Sequence, residues 1–254
     1  MKLAFLQKIR ENIREFFSTK GYTCDGCGAE IFAYPNYRLC DKCEDLMRRN
    51  DGRICPKCGR KTRAEGVCLS CKSRAPYFTQ GLSPFVYRGE TAAFVNRLKN
   101  GNVTLAYYFS EKMADCFIGK YKDRFQGEER LLILPVPLTK ERERERGYNQ
   151  AEELANGIFK RLKEQGYSVE MDTEILQKSR DTAQQKHMGY ASRTENVSGA
   201  YHVHKRKACR NRIILLVDDI MTTGATGSEC AKKLLKADAK EVIFLVAASL
   251  PEME

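Results

Sequence analysis

The chain is 254 residues long, enough for one large domain or two modest ones. Its 42% hydrophobic content is ordinary for a globular protein, and no apolar run approaches the ~18 residues of a membrane span. Lys and Arg exceed Asp and Glu by 44 to 33, a formal charge of +11 that turns attention to anionic partners.

At the N-terminus Leu6, Ile9, Ile13 and Phe17 recur at helical spacing. Lys8, Arg10, Glu11, Arg14 and Glu15 interrupt any signal-peptide core. Residues 1–20 are therefore expected to form an amphipathic helix packed on the protein, with the whole chain in the cytoplasm.

Eight of the eleven cysteines form four Cys-x-x-Cys pairs: Cys24/Cys27, Cys40/Cys43, Cys55/Cys58 and Cys68/Cys71. Two intervening residues let both thiolates of a knuckle face one tetrahedral Zn²⁺. Large apolar residues are few here, so metal must replace a core too small to hold the segment. Two structural Cys₄ zinc sites are expected over residues 21–75. Sequential pairing and cross-bracing use the same ligands, and both remain open. Two Zn²⁺ on eight thiolates would lower the formal charge to about +7. Cys116, Cys209 and Cys230 fall outside the pattern and are expected to be buried thiols. Basic residues gather at Arg48, Arg49, Arg53, Lys57, Arg60, Lys61 and Arg63, and again at Lys205–Lys207 with Arg210 and Arg212.

Beyond the linker at 72–77 the pattern turns α/β. Strands are expected over 82–87, 131–134, 201–204, 213–217 and 242–247. Helices are expected over 92–99, 105–119, 150–164 and 230–236. This alternation implies a mainly parallel sheet. Within it, Ile213 to Val217 read as a strand buried on both faces, followed by Asp218 and Asp219 and then by Thr222, Thr223, Gly224, Ala225 and Thr226. A small, hydroxylated loop opening a helix suits a phosphate. Two carboxylates beside it suit sugar hydroxyls, so the loop is built to recognise a ribose 5-phosphate. The rival, a Walker B strand, needs a GxxxxGK[ST] loop that the chain lacks.

A second signal follows the strand at 131–134. Pro135-Val136-Pro137 leads into a charged stretch containing Lys140, Arg142, Arg144 and Arg146, read as a loop, and then Gly147-Tyr148-Asn149-Gln150. A salt-bridged helix face would explain the Glu-Arg alternation but not the flanking residues. A third, polar segment runs from Arg180 to His187.

The aspartate-threonine run resembles the signature of type I phosphoribosyltransferases, which bind phosphoribosyl pyrophosphate (PRPP). Together with the cysteine pairs, the Arg142/Arg146-Gly-Tyr-Asn-Gln loop, Arg180/Thr182/Gln185 followed by Arg193, Asn196 and Gly199, and Leu98-Lys99 before Gly101, it is similar to the ComF family. That family joins a double zinc ribbon to a PRPP-binding domain. Asn100 stands where an aromatic is usual, Ala183-Gln184 lacks the usual proline, and Met188 replaces a leucine.

The resemblance implies an α/β, type I phosphoribosyltransferase-like fold over 76–254 with a double zinc ribbon over 21–75. It gives Asp218 and Asp219 the ribose hydroxyls and Thr222 to Thr226 the 5′-phosphate. Mg²⁺ would accompany PRPP, with Lys99, Arg142, Arg146 and Arg180 as cations for the leaving pyrophosphate. If the chain is catalytic, Asp218, Asp219, Arg142 and Arg146 carry displacement at C1, and no residue pattern singles out the acceptor. The family's link to natural transformation implies a role in DNA uptake, with ribbons and basic faces engaging single-stranded DNA and other competence proteins as partners. The alternative is an active phosphoribosyltransferase of nucleotide or cofactor salvage with a small-molecule acceptor and no nucleic-acid role.

Overall fold

Two nine-residue strands, β7 (Ile213–Met221) and β8 (Glu241–Ser249), run side by side at the centre of the structure. The structure, a computed structural model, describes residues 23–31, 39–122, 124–125, 130–179 and 199–252. The expected N-terminal helix and Arg180, Thr182, Gln185, His187, Arg193 and Asn196 lie outside these residues. Around the central pair stand β1 (Gln80–Leu82), β2 (Phe85–Val86), β3 (Leu131–Pro135) and β4 (Val169–Met171), in the order β1-β8-β7-β3-β4 with β2 also on β8. Every pairing in this sheet is parallel. A small antiparallel pair, β5 (Leu176–Lys178) and β6 (Tyr201–Val203), lies apart from it.

Continuously apolar strands are what a sheet covered on both faces requires. Leu131, Ile133, Ile213, Leu215, Val217, Ile243 and Leu245 join one core, and the alternate residues Leu132, Leu134, Ile214, Leu216, Val242, Phe244 and Val246 join the other. The first core is closed by α3 (Gly89–Lys99), α4 (Leu105–Tyr121) and α6 (Gln150–Glu164), the second by α8 (Ala225–Leu235). Each fully buried Leu, Ile or Phe contributes roughly 1.5–3 kcal/mol. Helix α6 connects β3 to β4 and α8 connects β7 to β8 in the opposite direction, so they fall on opposite faces. The strand order reverses between β3 and β7, and the crevice at their carboxyl ends is where open α/β sheets bind ligands.

Some expectations shift. The charged segment after Pro137 is a helix, α5 (Lys140–Arg146), not a loop: the Thr139 side chain accepts from Arg142 N at its start, and Gly147 adopts a left-handed φ of 82° at its end. Helix α8 begins at Ala225 rather than near Cys230. Strand β7 continues through both aspartates, held there by β8 alone because β3 ends at Pro135. Strands β4 and β5 are too short for a periodic signal.

Both cysteine quartets pack on the sheet domain, on opposite faces. Cys24 and Cys43 join the core of α3 and α4, while Cys55, Cys58, Cys68 and Cys71 join the core of α8. The second ribbon covers the outer edge of β1 and β2. Gly81 N donates to Lys57 O at 2.9 Å, Val86 N to Arg48 O at 2.8 Å, and Asn50 Nδ2 to Ser83 O at 2.9 Å. Gly59 (φ 73°) and Gly81 face each other so closely that a Cβ on either would come under 3.0 Å from the other segment's backbone. The second ribbon is thus not a free-standing metal-held unit.

Candidate functional site

The described residues hold two four-cysteine groups, Cys24/Cys27/Cys40/Cys43 and Cys55/Cys58/Cys68/Cys71, each with its sulfurs within 4.8 Å of one another. Pairing is therefore sequential. A tetrahedral Zn²⁺ with ~2.3 Å bonds separates its sulfurs by about 3.8 Å, and Cys27–Cys40 and Cys58–Cys68 stand at 3.7 Å. Backbone amides donate into the groups: Gly26 N and Cys40 N to Cys24 Sγ at 3.3 Å, and Cys68 N to Cys55 Sγ at 3.4 Å. Burial opposes ionisation of Cys24, but the amides of Cys40, Cys27 and Gly26 outweigh it and bring the thiol to about 7. The Cys71 hydrogen bond, against burial and with help from Arg60, holds Cys58 down to about 5. Thiolate donors in this geometry fit Zn²⁺ at both sites. Burial pushes the other three cysteines up, Cys116 to about 11, so none is an activated nucleophile.

At the crevice, Asp218 and Asp219 are both buried. The face alternation slips between Val217, in one core, and Met221, in the other. Asp219 N donates to Asp218 Oδ1 at 2.9 Å. Lys99 Nζ, from the end of α3, stands 3.1 Å from Asp219 Oδ2. The pair attracts by charge but lacks hydrogen-bond alignment, leaving this buried oxygen with unused acceptor capacity. Burial first, and Asp219 second, raise the Asp218 carboxyl well above its ordinary value, with Lys99 opposing. Its neighbours on the other side are Tyr201 and Cys230, whose ionisation it disfavours.

The loop after β7 turns at Gly224 (φ 80°), which begins α8 without a side-chain cap. The Thr223 hydroxyl accepts from Ala225 N at 3.2 Å. Residues Thr222, Thr223, Ala225 and Thr226 are half-buried, so the loop is open to a ligand. Ala225 N is engaged by Thr223, and the other first-turn amides of α8, with the dipole behind them, favour an anion. Gly227 lets α8 lie on Phe244, whose ring a Cβ would strike.

Opposite this loop a cleft of about 450 Å³ is lined by Lys99, Asn100, Gly101, Arg142, Glu145 and Arg146. Arg142 and Arg146 lie four apart, on one face of α5. The Gly-Tyr-Asn-Gln run positions them. The Tyr148 hydroxyl donates to Leu98 O and accepts from Gly101 N (3.1 Å), pinning the segment that bears Lys99. Asn149 caps α6 through Ala151 N (3.0 Å) and donates to Val136 O (3.1 Å), and Gln150 accepts from Arg146.

Residues 145–253, from the end of α5 through β8, match the family described as phosphoribosyl transferase domain. The chain is 27% identical to competence protein ComFC of Bacillus subtilis (strain 168), covering 80% of each chain. It is 26% identical to the DNA utilization protein YhgH of Escherichia coli (strain K12), over 83% of this chain and 89% of that one. It is 24% identical to competence protein F of Haemophilus influenzae, over 82% and 94%. Over most of its length the chain is similar to proteins named for competence and DNA utilization.

Among the described residues, Lys99 joins the two groups: it lines the cleft with Arg142 and Arg146 and stands 3.1 Å from Asp219, which with Asp218 lies near the end of the strand leading into Thr222 to Thr226. Arg60 was grouped in sequence with a basic surface, but it is only 5% exposed and bonds Thr222 O at 3.1 Å. Its place directly after Cys58-Gly59 was the signal that it belongs to a knuckle. Two residues of the second basic cluster are paired with acids: Lys205 with Asp172 and Glu174, and Arg212 with Glu170.

Proposed function

We propose that the chain binds PRPP with Mg²⁺ and serves DNA uptake as a ComF-type protein. The carrying observation is the buried, under-satisfied Asp219 Oδ2, which stands 3.1 Å from Lys99 of the cationic cleft, near the end of the strand that leads into the 222–226 loop. The two carboxylates would accept from ribose hydroxyls, the 222–226 amides would hold the 5′-phosphate, and Lys99, Arg142 and Arg146 would face the pyrophosphate. Hard carboxylate oxygens also suit Mg²⁺, which would neutralise the pyrophosphate when bound. Calorimetry with PRPP and Mg²⁺ tests this. Hydrogen bonds to charged acceptors contribute roughly 1.5–3 kcal/mol each, so replacing both aspartates with asparagine should weaken binding well over tenfold. Equal affinity in the double variant, or no heat from wild type, would end the reading.

For DNA, the relatives' names and the basic excess support weak, sequence-tolerant binding of single strands through phosphates. Affinity should then fall as salt rises. Absence of binding at low salt would remove nucleic acid as a direct partner. The second reading, an active transferase, draws on the cleft facing Asp219, which has room for a leaving pyrophosphate. Pyrophosphate release from PRPP that accelerates with an added acceptor would favour it.

A further inference from the structure

The second cysteine quartet and the ribose-phosphate loop share one side chain. The Arg60 guanidinium donates from Nε to Cys58 Sγ at 3.3 Å and from its terminal nitrogen to Thr222 O at 3.1 Å. It is nearly sealed from solvent. Its own backbone is held in the knuckle, where Cys55 N donates to Arg60 O at 2.9 Å. The knuckle in turn is locked to β1 by the Gly59–Gly81 contact. A cavity of about 300 Å³ lies between the two parts, lined by Arg60, Arg74, Thr223, Gly224 and Ser228 among others. Beneath this gap ribbon and strand β7 share one core through Met221 and Phe78, and across it Arg60 is the side chain that reaches the loop backbone.

A buried guanidinium is tolerated only with an anionic partner and filled hydrogen bonds. A Cys₄ site holding Zn²⁺ is an anion overall, fixed in place by the metal. It is the counter-charge that keeps Arg60 inside and aimed at Thr222. Removing the metal dismantles the knuckle that presents Cys58 and takes the fixed counter-charge away. Arg60 then gains more from water than from its buried position, and Thr222 loses its only tether to the ribbon among the described contacts.

We propose that Arg60 is a positioning residue that couples metal occupancy of the second Cys₄ site to the shape of the ribose-phosphate loop, so that a loaded site raises the loop's affinity for a phosphate-bearing ligand. The coupling is reciprocal: a ligand that orders the loop must tighten metal at the second site by the same factor, and not at the first. The ligand part rests on the PRPP reading; the ribbon-to-loop part does not.

The test uses the full chain as wild type, Arg60→Met and Arg60→Lys. Methionine keeps the apolar stem without the charge, and lysine keeps a charge that cannot span both acceptors. Metal content, amide hydrogen exchange over 222–226, and PRPP–Mg²⁺ calorimetry are read for each. Arg60→Met should retain two zinc ions, exchange faster in the loop, and bind PRPP about tenfold more weakly, within the usual range of coupling between sites; Arg60→Lys should fall between. Graded chelation of wild type should speed loop exchange in step with loss of the second zinc, and PRPP should slow that loss. Unchanged exchange at 222–226 when wild type loses the second zinc would overturn the coupling, whether or not the variants fold. Absence of PRPP heat in wild type, with exchange still responding to zinc, would instead overturn the PRPP reading and leave the coupling standing.

Discussion

The two ribbons share a ligand pattern but not a relation to the rest of the molecule. All four sulfurs of the second belong to buried residues, whereas Cys27 of the first is exposed and Cys40 partly so. The first ribbon is held from outside: Arg97 of α3 donates to the carbonyls of Asp25 and Gly26, and Thr104 Oγ1 donates to Asp25 Oδ2 at 2.6 Å. The second is built in, by backbone bonds to a strand and by Arg60 to the loop. Each ribbon serves one half of the crevice. Arg97 lies two residues before Lys99, on the cleft side, and Arg60 lies on the phosphate side. The same ligand pattern thus sits half in the core and half exposed in one place, and wholly within the core in the other.

The comparison breaks most sharply by ligand removal. Structural zinc in small domains is worth on the order of 10 kcal/mol to the fold it organises. Cys71→Ser should therefore cost several kcal/mol and unsettle the sheet domain, while Cys27→Ser should release one zinc and leave the main thermal transition within a few degrees. Equal losses in thermal unfolding would mean the ribbons are equivalent. Next in size, Gly81→Ala puts a methyl against the Cys58 carbonyl with nothing able to yield. It should cost about 1–3 kcal/mol by overpacking. Gly28→Ala, at a left-handed φ of 75° with open space around it, should cost about 1 kcal/mol. Denaturant titration of the pair gives the order.

A pH series separates the crevice from its braces. Asp218 has its folded pKa raised above the ordinary 3.8. Its contribution favours folding below that value and is lost as pH rises through the folded pKa. Ligand-free protein should thus be more stable at mildly acid pH than at neutral pH as far as this group decides. Asp218→Asn should flatten that slope and raise the neutral-pH melting temperature, even as it weakens PRPP binding. A steeper slope in the variant would assign the effect elsewhere. The smallest effect is expected for Tyr148→Phe, which removes the bonds to Leu98 O and Gly101 N. About 1 kcal/mol is at stake, read as a modest loss of PRPP affinity with the ribbons untouched.

The buried strands at 131–134 and 213–217 and the helix at 150–164 were legible because continuous apolar runs and a 3.6-residue period are strong local signals. The metal quartets were legible from spacing. Helix α5 was misread as a loop although its Thr139 start and Gly147 stop stood in the sequence, because alternating charges hid any apolar face. The passage of β7 through Asp218 and Asp219 was hidden too, since only the β8 pairing carries the chain past Val217. The place of Arg60 after Cys58-Gly59 assigns it to a knuckle, but nothing local reports a partner 162 residues away. Local chemistry named the donors, and tertiary contact decided which of them work together.

The backbone bonds from residues 48–59 to β1 and β2 also guard the margin of the sheet. A parallel sheet ends in a strand with open donors and acceptors, a template on which another chain can add. Here the ribbon occupies that margin, with Gly81 N and Val86 N already taken. Phosphoribosyltransferase domain and ribbon therefore cannot be parted at the linker without baring a sticky edge. A chain trimmed to begin at residue 76 would be prone to self-association, however complete its crevice.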